Sequence, residues 1–319
     1  MQSTKILVGV CTYQRPQMLK NCLQHIAAME MDADQEVVCF VVNNDSEPIA
    51  SEIVETFSAS SDGVTFKFAD CKERGIPQAR NVILEYADNS NFDFCAFLDD
   101  DEYPKKDWLK ELVKYQVASN DDAIQGEVLN VYEAKPWIVE PLLHDVKFGK
   151  EEGHVPRVVS TCNVLMTRSL YASDAKFLRF DPSLALTGGS DKELFNRARE
   201  TFGIKVSFTP KACVYETISA SRTSLRWFFQ RFARIESNAF IFKAKKGSHL
   251  KAIFTMLPRA IRNFLNILFY TITIALTFYV PNMRRRKTIK LVRYSARFWG
   301  YISSATGNHI NPYQTTTGS

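Results

Sequence analysis

Phe94-Cys95-Ala96-Phe97-Leu98-Asp99-Asp100-Asp101-Glu102 is an unbroken apolar run that ends in four carboxylates. A strand apolar at consecutive positions is buried on both faces, as in a parallel sheet sandwiched between helices. Similar runs stand upstream at Ile6–Val10 and Val37–Val42, and a further strand-like stretch is Val64-Thr65-Phe66-Lys67-Phe68. Helical patterns separate them, through Leu19, Leu23 and Ile26, through Ile53 and Val54, and from Pro77 to Tyr86. This alternation predicts an α/β fold, a mostly parallel sheet with helices on both faces. Such sheets bind ligands at the carboxyl ends of their strands. The informative residues follow the strands directly: Thr12-Tyr13, Asn43-Asn44-Asp45 and Asp99-Asp100-Asp101.

Beyond Pro104 the pattern is mixed. It predicts helices over 105–117 and 191–202, strands near 124–132, 158–166, Val206 and Val214, and a mobile loop over 133–157. After Ser221 only helical patterns remain, rich in Arg and aromatic residues. The 319 residues are 45% hydrophobic and 24% charged, an ordinary globular balance. A net charge of +5 is too small to demand a nucleic-acid partner. The seven Cys form no C-x-x-C pair and no zinc spacing, so reduced, buried thiols are expected. No leader pattern precedes the first strand, which predicts a chain that is not secreted.

Two acidic segments carry candidate chemistry. Asp99 and Asp101 share one side of an extended chain and could grip Mg²⁺ or Mn²⁺, which take one or two protein carboxylates plus phosphate oxygens. The same cluster also reads as a solvated turn before a helix. In Gly188-Gly189-Ser190-Asp191-Lys192-Glu193, a glycine turn runs into a helix. Ser190 and Glu193 match a capping box. Asp191 is left over, beside glycines that admit a second molecule, and a carboxylate there can act as a general base.

The ordered segments Cys11-Thr12-Tyr13-Gln14-Arg15-Pro16, Val42-Asn43-Asn44-Asp45-Ser46, Arg74-Gly75 with Ala79-Arg80-Asn81, Phe97–Asp101 and Gly188–Asp191 resemble family 2 glycosyltransferases with the GT-A fold. The likeness covers roughly residues 1–235 and leans toward enzymes of bacterial exopolysaccharide and surface-polysaccharide synthesis. It implies a catalytic domain over 1–235 and a basic, apolar helical region over 236–319. It further implies a UDP-sugar donor and inversion at the anomeric carbon. Thr12, Tyr13, Arg15, Asn44, Asp45, Arg80 and Asp100 would border the nucleotide. Asp99 and Asp101 would hold Mn²⁺ or Mg²⁺, Asp191 would be the base, and Asn163 would lie near the acceptor, a lipid-linked or oligosaccharide chain.

Arg222, Arg226, Trp227 and Arg231 share a short helical stretch. It resembles the family's lid near the diphosphate or acceptor, and it also reads as a solvated basic helix. Residues 263–280 carry no charge, with Arg259 and Arg262 before and Arg284-Arg285-Arg286-Lys287 after. Basic flanks on both sides favour a helix lying in one leaflet over a span or a buried helix. Pro258 and Pro281 are expected to punctuate it, and residues 290–301 read as an interfacial helix. The expected location is the cytoplasmic side of a bacterial inner membrane, peripheral or monotopic. Two competing readings are a nucleotidyltransferase, which lacks its usual Gly-rich basic loop after the first strand here, and a non-catalytic membrane scaffold.

Overall fold

The structure, a computed structural model, describes residues 3–45, 47, 49–59, 63–133, 151–155, 160–185, 188–277, 279–308 and 310. The chain divides into two compact units. The first takes residues up to 131 and 147–217, the second 132–146 and 218–316.

In the first unit, β1 (Thr4–Thr12), β2 (Gln35–Asn43), β3 (Val64–Asp70) and β4 (Phe94–Asp99) run parallel in the order β3-β2-β1-β4. Side chains alternate along each strand. Ile6, Val8 and Val10 therefore face the helices α1 (Pro16–Ala27), α2 (Ile49–Ser58) and α4 (Trp108–Ser119). Leu7 faces the opposite layer of α3 (Ile76–Asn89), α5 (Arg168–Tyr171) and α6 (Ser190–Phe202). Gly9 lets α3 come close, since a Cβ there would lie 2.4 Å from Ile83. Pairing aligns Thr12 with Asn43, Cys11 with Asp99 and Asn43 with Asp70, so the polar strand ends share one edge.

The sheet continues through β8 (Val164–Thr167), β6 (Ala123–Tyr132), β9 (Val206–Ile218) and β5 (Glu102–Pro104), with β7 (Gly153–His154) on β9. The pairs β4–β8, β6–β8, β5–β9 and β7–β9 are antiparallel. The sheet is therefore mixed rather than mostly parallel. The outer half of β6 alternates half-buried and exposed residues, as a strand covered on one face does. The strands expected near Val206 and Val214 are one strand. Of the loop expected over 133–157, residues 134–150 and 156–157 lie outside the described residues. All seven thiols are free, and Cys22, Cys39, Cys71, Cys95 and Cys213 are buried.

The second unit is built on α7 (Leu225–Lys245), α8 (His249–Leu276) and α9 (Pro281–Ala305). Ser224 and Ser248 cap α7 and α8, accepting from the N–H groups of Trp227 and Lys251. Phe228 and Phe232 pack with Ile289 and Ala296, and Phe240 packs with Met256, Ala260 and Tyr301. At Gly300 a Cβ would lie 2.3 Å from the Ala233 carbonyl oxygen, so α9 needs glycine to meet α7.

Two expectations change here. The unit boundary falls at 217/218, not 235/236, because α7 is continuous and supplies the core of the second unit. Pro258 sits inside α8 instead of ending it. Residues 290–301 belong to α9 and are packed on one side, where Ala296, Gly300 and Tyr301 are buried. Among the described residues no helix is long and apolar enough to cross a membrane.

Candidate active site

The acidic turn is held at both ends. The Asp99 N–H donates to Glu102 Oε2 (2.9 Å), and the Thr217 N–H donates to the Asp101 carbonyl oxygen (3.0 Å). Glu102 is an inward anchor with 1% exposure. Burial first, then the nearby Asp99 charge, lifts its carboxyl well above the usual range.

The three aspartates have different surroundings. Asp100 is buried, takes a hydrogen bond from Thr12 Oγ1 (2.9 Å) and pairs with Arg15 (3.2 Å). Burial pushes its carboxyl up to about 7, against the pull of Arg15. Asp101 also pairs with Arg15 (3.1 Å). Asp99 pairs with Arg80 (3.2 Å) and is the open member, its side chain 42% exposed against 7% for Asp101. Among the described residues no three His, Cys, Asp or Glu side chains converge to hold a metal unaided. The donor set fits a hard cation that completes its shell with phosphate oxygens and water: one open carboxylate, Asp99, and a second two residues on, Asp101.

Asp191 is the second residue of α6, which follows Gly188 and Gly189, both at positive φ (74° and 86°). The capping box does not form: Gly189 is the N-cap, and Glu193 pairs with Arg197 (2.7 Å). Asp191 Oδ2 instead accepts from Ser160 Oγ (3.2 Å). Its charge acts on both Arg80 and Asp99. The two acidic segments therefore share one neighbourhood, with the buried Arg80 guanidinium in electrostatic reach of both.

On the other flank, Thr12, Arg15, Asn43 and Asp45 line a small pocket. Gln14 Nε2 donates to Asp45 Oδ1 (3.3 Å). Arg74 lies over the Tyr13 ring (5.3 Å to its centre) and donates to its hydroxyl (3.0 Å). Arg74 and Ser160 are the members that sequence reasoning left without roles. Arg74 sat inside a quoted motif and Ser160 three residues before Asn163, but their partners are distant in the chain.

Two expected contacts are structural ties instead. Asn44 Nδ2 donates to the Cys71 and Glu73 carbonyls (3.3 and 2.8 Å), and its Oδ1 accepts from the Gly75 N–H (2.7 Å). It fixes the loop that carries Arg74 and has both amide hydrogens engaged there. Asn163 is 0% exposed, accepts from Trp108 Nε1 (2.7 Å) and donates to the Glu127 and Ala212 carbonyls (2.7 and 2.9 Å). A side chain so enclosed does not meet an acceptor. Arg222, Arg226, Trp227 and Arg231 belong to the second unit, where the Arg231 guanidinium lies 5.0 Å from the centre of the Trp227 ring.

Residues 7–172 match the family described as Glycosyl transferase family 2. The succinoglycan biosynthesis protein ExoM of Rhizobium meliloti is 33% identical over 232 residues, 72% of either chain. Among solved structures, the mannosyltransferase PcManGT from Pyrobaculum calidifontis, in complex with GDP-Man and Mn²⁺, has a TM-score of 0.61 at 16% identity, covering 97% of this chain and 88% of its own. S. aureus TarS 1–349 in complex with UDP has a TM-score of 0.53 at 18% identity, covering 95% and 92%. At such identities the structural likeness speaks for the GT-A fold alone. The family match removes the nucleotidyltransferase and scaffold readings. With the strand-end carboxylates, Arg80 and Asp191 gathered at the edge where α/β sheets work, this chain belongs to glycosyl transferase family 2 and is a glycosyltransferase.

Proposed function

We infer that this enzyme moves a sugar, with inversion, from a UDP-sugar to a hydroxyl of a lipid-linked or oligosaccharide acceptor in bacterial surface-polysaccharide synthesis, at the cytoplasmic face of the inner membrane. The observation that carries the chemistry is Asp191 within electrostatic reach of Asp99 and Arg80. The relative ExoM, a succinoglycan biosynthesis protein, supports the polysaccharide context.

Thr12, Arg15 and Asp45 border the nucleoside, with Tyr13 and Arg74 stacked beside them. Asp99 and Asp101 would hold Mn²⁺ or Mg²⁺, and such an ion, when bound, offsets charge developing on the departing diphosphate. Arg80 adds fixed positive charge beside Asp99. Asp191 takes the proton from the attacking hydroxyl, while the Ser160 hydroxyl fixes the carboxylate's orientation. Single displacement needs no covalent nucleophile. The second-unit residues Arg222, Arg226, Trp227 and Arg231 are not needed for the donor half.

The test is UDP binding by calorimetry with Mn²⁺, with Mg²⁺ and with chelator, on wild type and Asp101→Ala. Metal-dependent binding is expected in the wild type and at least tenfold weaker binding in the variant. Equal binding in chelator would remove the metal from the reading.

A further inference from the structure

Residues 218–319 hold 17 of the chain's 40 Lys and Arg but one of its 35 Asp and Glu, Glu236. That one is spent internally: Glu236 is 1% exposed and pairs with Arg259 (2.8 Å). In residues 218–310, then, no acidic side chain faces solvent among the described residues.

On this basic unit lies an unpartnered apolar face. One side of α8 is covered, with Ala252, Met256 and Ala260 packed around Phe240 and Tyr301. The other is not. Phe254, Ile261, Phe264, Leu268, Ile272 and Leu276 are 45–78% exposed, with only Phe264, at the margin, also touching a ring of α9 (Phe298, 5.6 Å between centres) among the described residues. Their spacings of seven, three and four residues keep them on one side of a helix, along about 33 Å at 1.5 Å per residue. A helix apolar on two faces requires two apolar neighbours, and the bundle supplies one. Lys251 and Arg262 fall along the border of this face, at about 75–100° around the helix from its centre. Arg284, Arg285, Arg286 and Lys287 follow at the start of α9.

We propose that this face of α8 is a docking surface for a lipid bilayer with anionic headgroups, the helix lying in the plane of the interface. Charge decides the occupant. A second copy would bring two like-charged basic surfaces together, whereas anionic headgroups neutralise the basic border while acyl chains cover the apolar face. The length and polarity of the helix agree: it does not qualify as a span, and a helix in the plane needs only one apolar side. The inference stands on the second unit and does not depend on the sugar or acceptor chosen above.

The experiment uses the full chain in vesicle flotation. Vesicles of phosphatidylethanolamine with phosphatidylglycerol are compared with vesicles of phosphatidylcholine alone, for wild type and Leu268→Glu/Ile272→Glu. Both substituted positions are surface residues, so the variant should keep its melting temperature and its Mn²⁺-dependent UDP binding. Wild type is expected to float with the anionic vesicles and to bind the neutral ones at least tenfold more weakly. The variant is expected to lose at least tenfold in anionic-vesicle binding. A variant that keeps its fold and floats like wild type would overturn the proposal, as would a wild type that stays in solution. Light scattering showing a dimer that this same double substitution dissociates would also overturn it, by assigning the face to a second copy.

Discussion

Asp191 is placed to take a proton because Ser160 fixes one of its oxygens while its charge acts on Asp99 and Arg80. Asp191→Ala should lower kcat by about 10²–10⁴-fold and leave Mn²⁺-dependent UDP affinity unchanged. Ser160→Ala removes one orienting hydrogen bond, so a kcat loss of only about 2–10-fold is expected, with the donor KM unchanged. Both are read in a radiolabelled transfer assay, and an Asp191→Ala enzyme at the wild-type rate would end the base assignment. Asp100 gives a separate prediction. Unfolded, it ionises near its ordinary 3.8, and folded near 7, chiefly because it is buried. Between those values the folded protein holds a proton that the unfolded chain has released. Its contribution to stability is therefore greatest at low pH and falls as pH rises toward 7, by up to about 4 kcal/mol at about 1.4 kcal/mol per unit. In chelator, wild type should lose stability relative to Asp100→Asn between pH 4 and 7; parallel melting curves would contradict this. Asp99 and Asp191 were legible in the sequence because ionisable residues directly after a strand or a glycine turn have few structural employments. Asn44 was not, because its three carbonyl and N–H partners lie about thirty residues away and leave no local pattern.

At the scale of elements, period-2 and both-face burial revealed β1 to β4, whose neighbours in the sheet are separated by helices with clear apolar stripes. The antiparallel half was harder to read. β8 is four residues long, and β9 reads as two strands because Pro210 and Lys211 interrupt its apolar run. Asn163 joins these elements, linking Trp108 of α4, Glu127 of β6 and Ala212 of β9 through one buried carboxamide. It also adopts a positive φ of 52°, which Asn tolerates better than Ala. Asn163→Ala should therefore cost about 2–4 kcal/mol by orphaning an indole N–H and two carbonyls. Urea unfolding should show the loss, while the folded fraction binds UDP as wild type does. An unchanged urea midpoint would mean that the tie is dispensable.

For the whole molecule, the sequence showed a change of character after Ser221 but misplaced the boundary, because the resemblance to the family ran on into α7. Packing decides otherwise. The two cores on either side of the sheet draw their buried residues from positions up to 214, whereas Phe228, Phe232 and Phe240 of α7 are buried among α8 and α9 residues. Removing only residues 251–319 would strip α7 of its partners and leave those aromatic rings in water, so such a truncation would confuse misfolding with loss of membrane binding. A chain ending at Ile218 avoids this, since it keeps β9 complete and discards the helical unit whole. A domain with its own core is expected to fold alone. This shorter chain should melt cooperatively and bind UDP in Mn²⁺ within about tenfold of the full chain, because every residue assigned to the donor lies in the first unit. It should also fail to float with anionic vesicles. An aggregated product would show that the first unit needs the second. A folded product that ignores UDP would move the diphosphate contacts onto Arg222, Arg226 and Arg231.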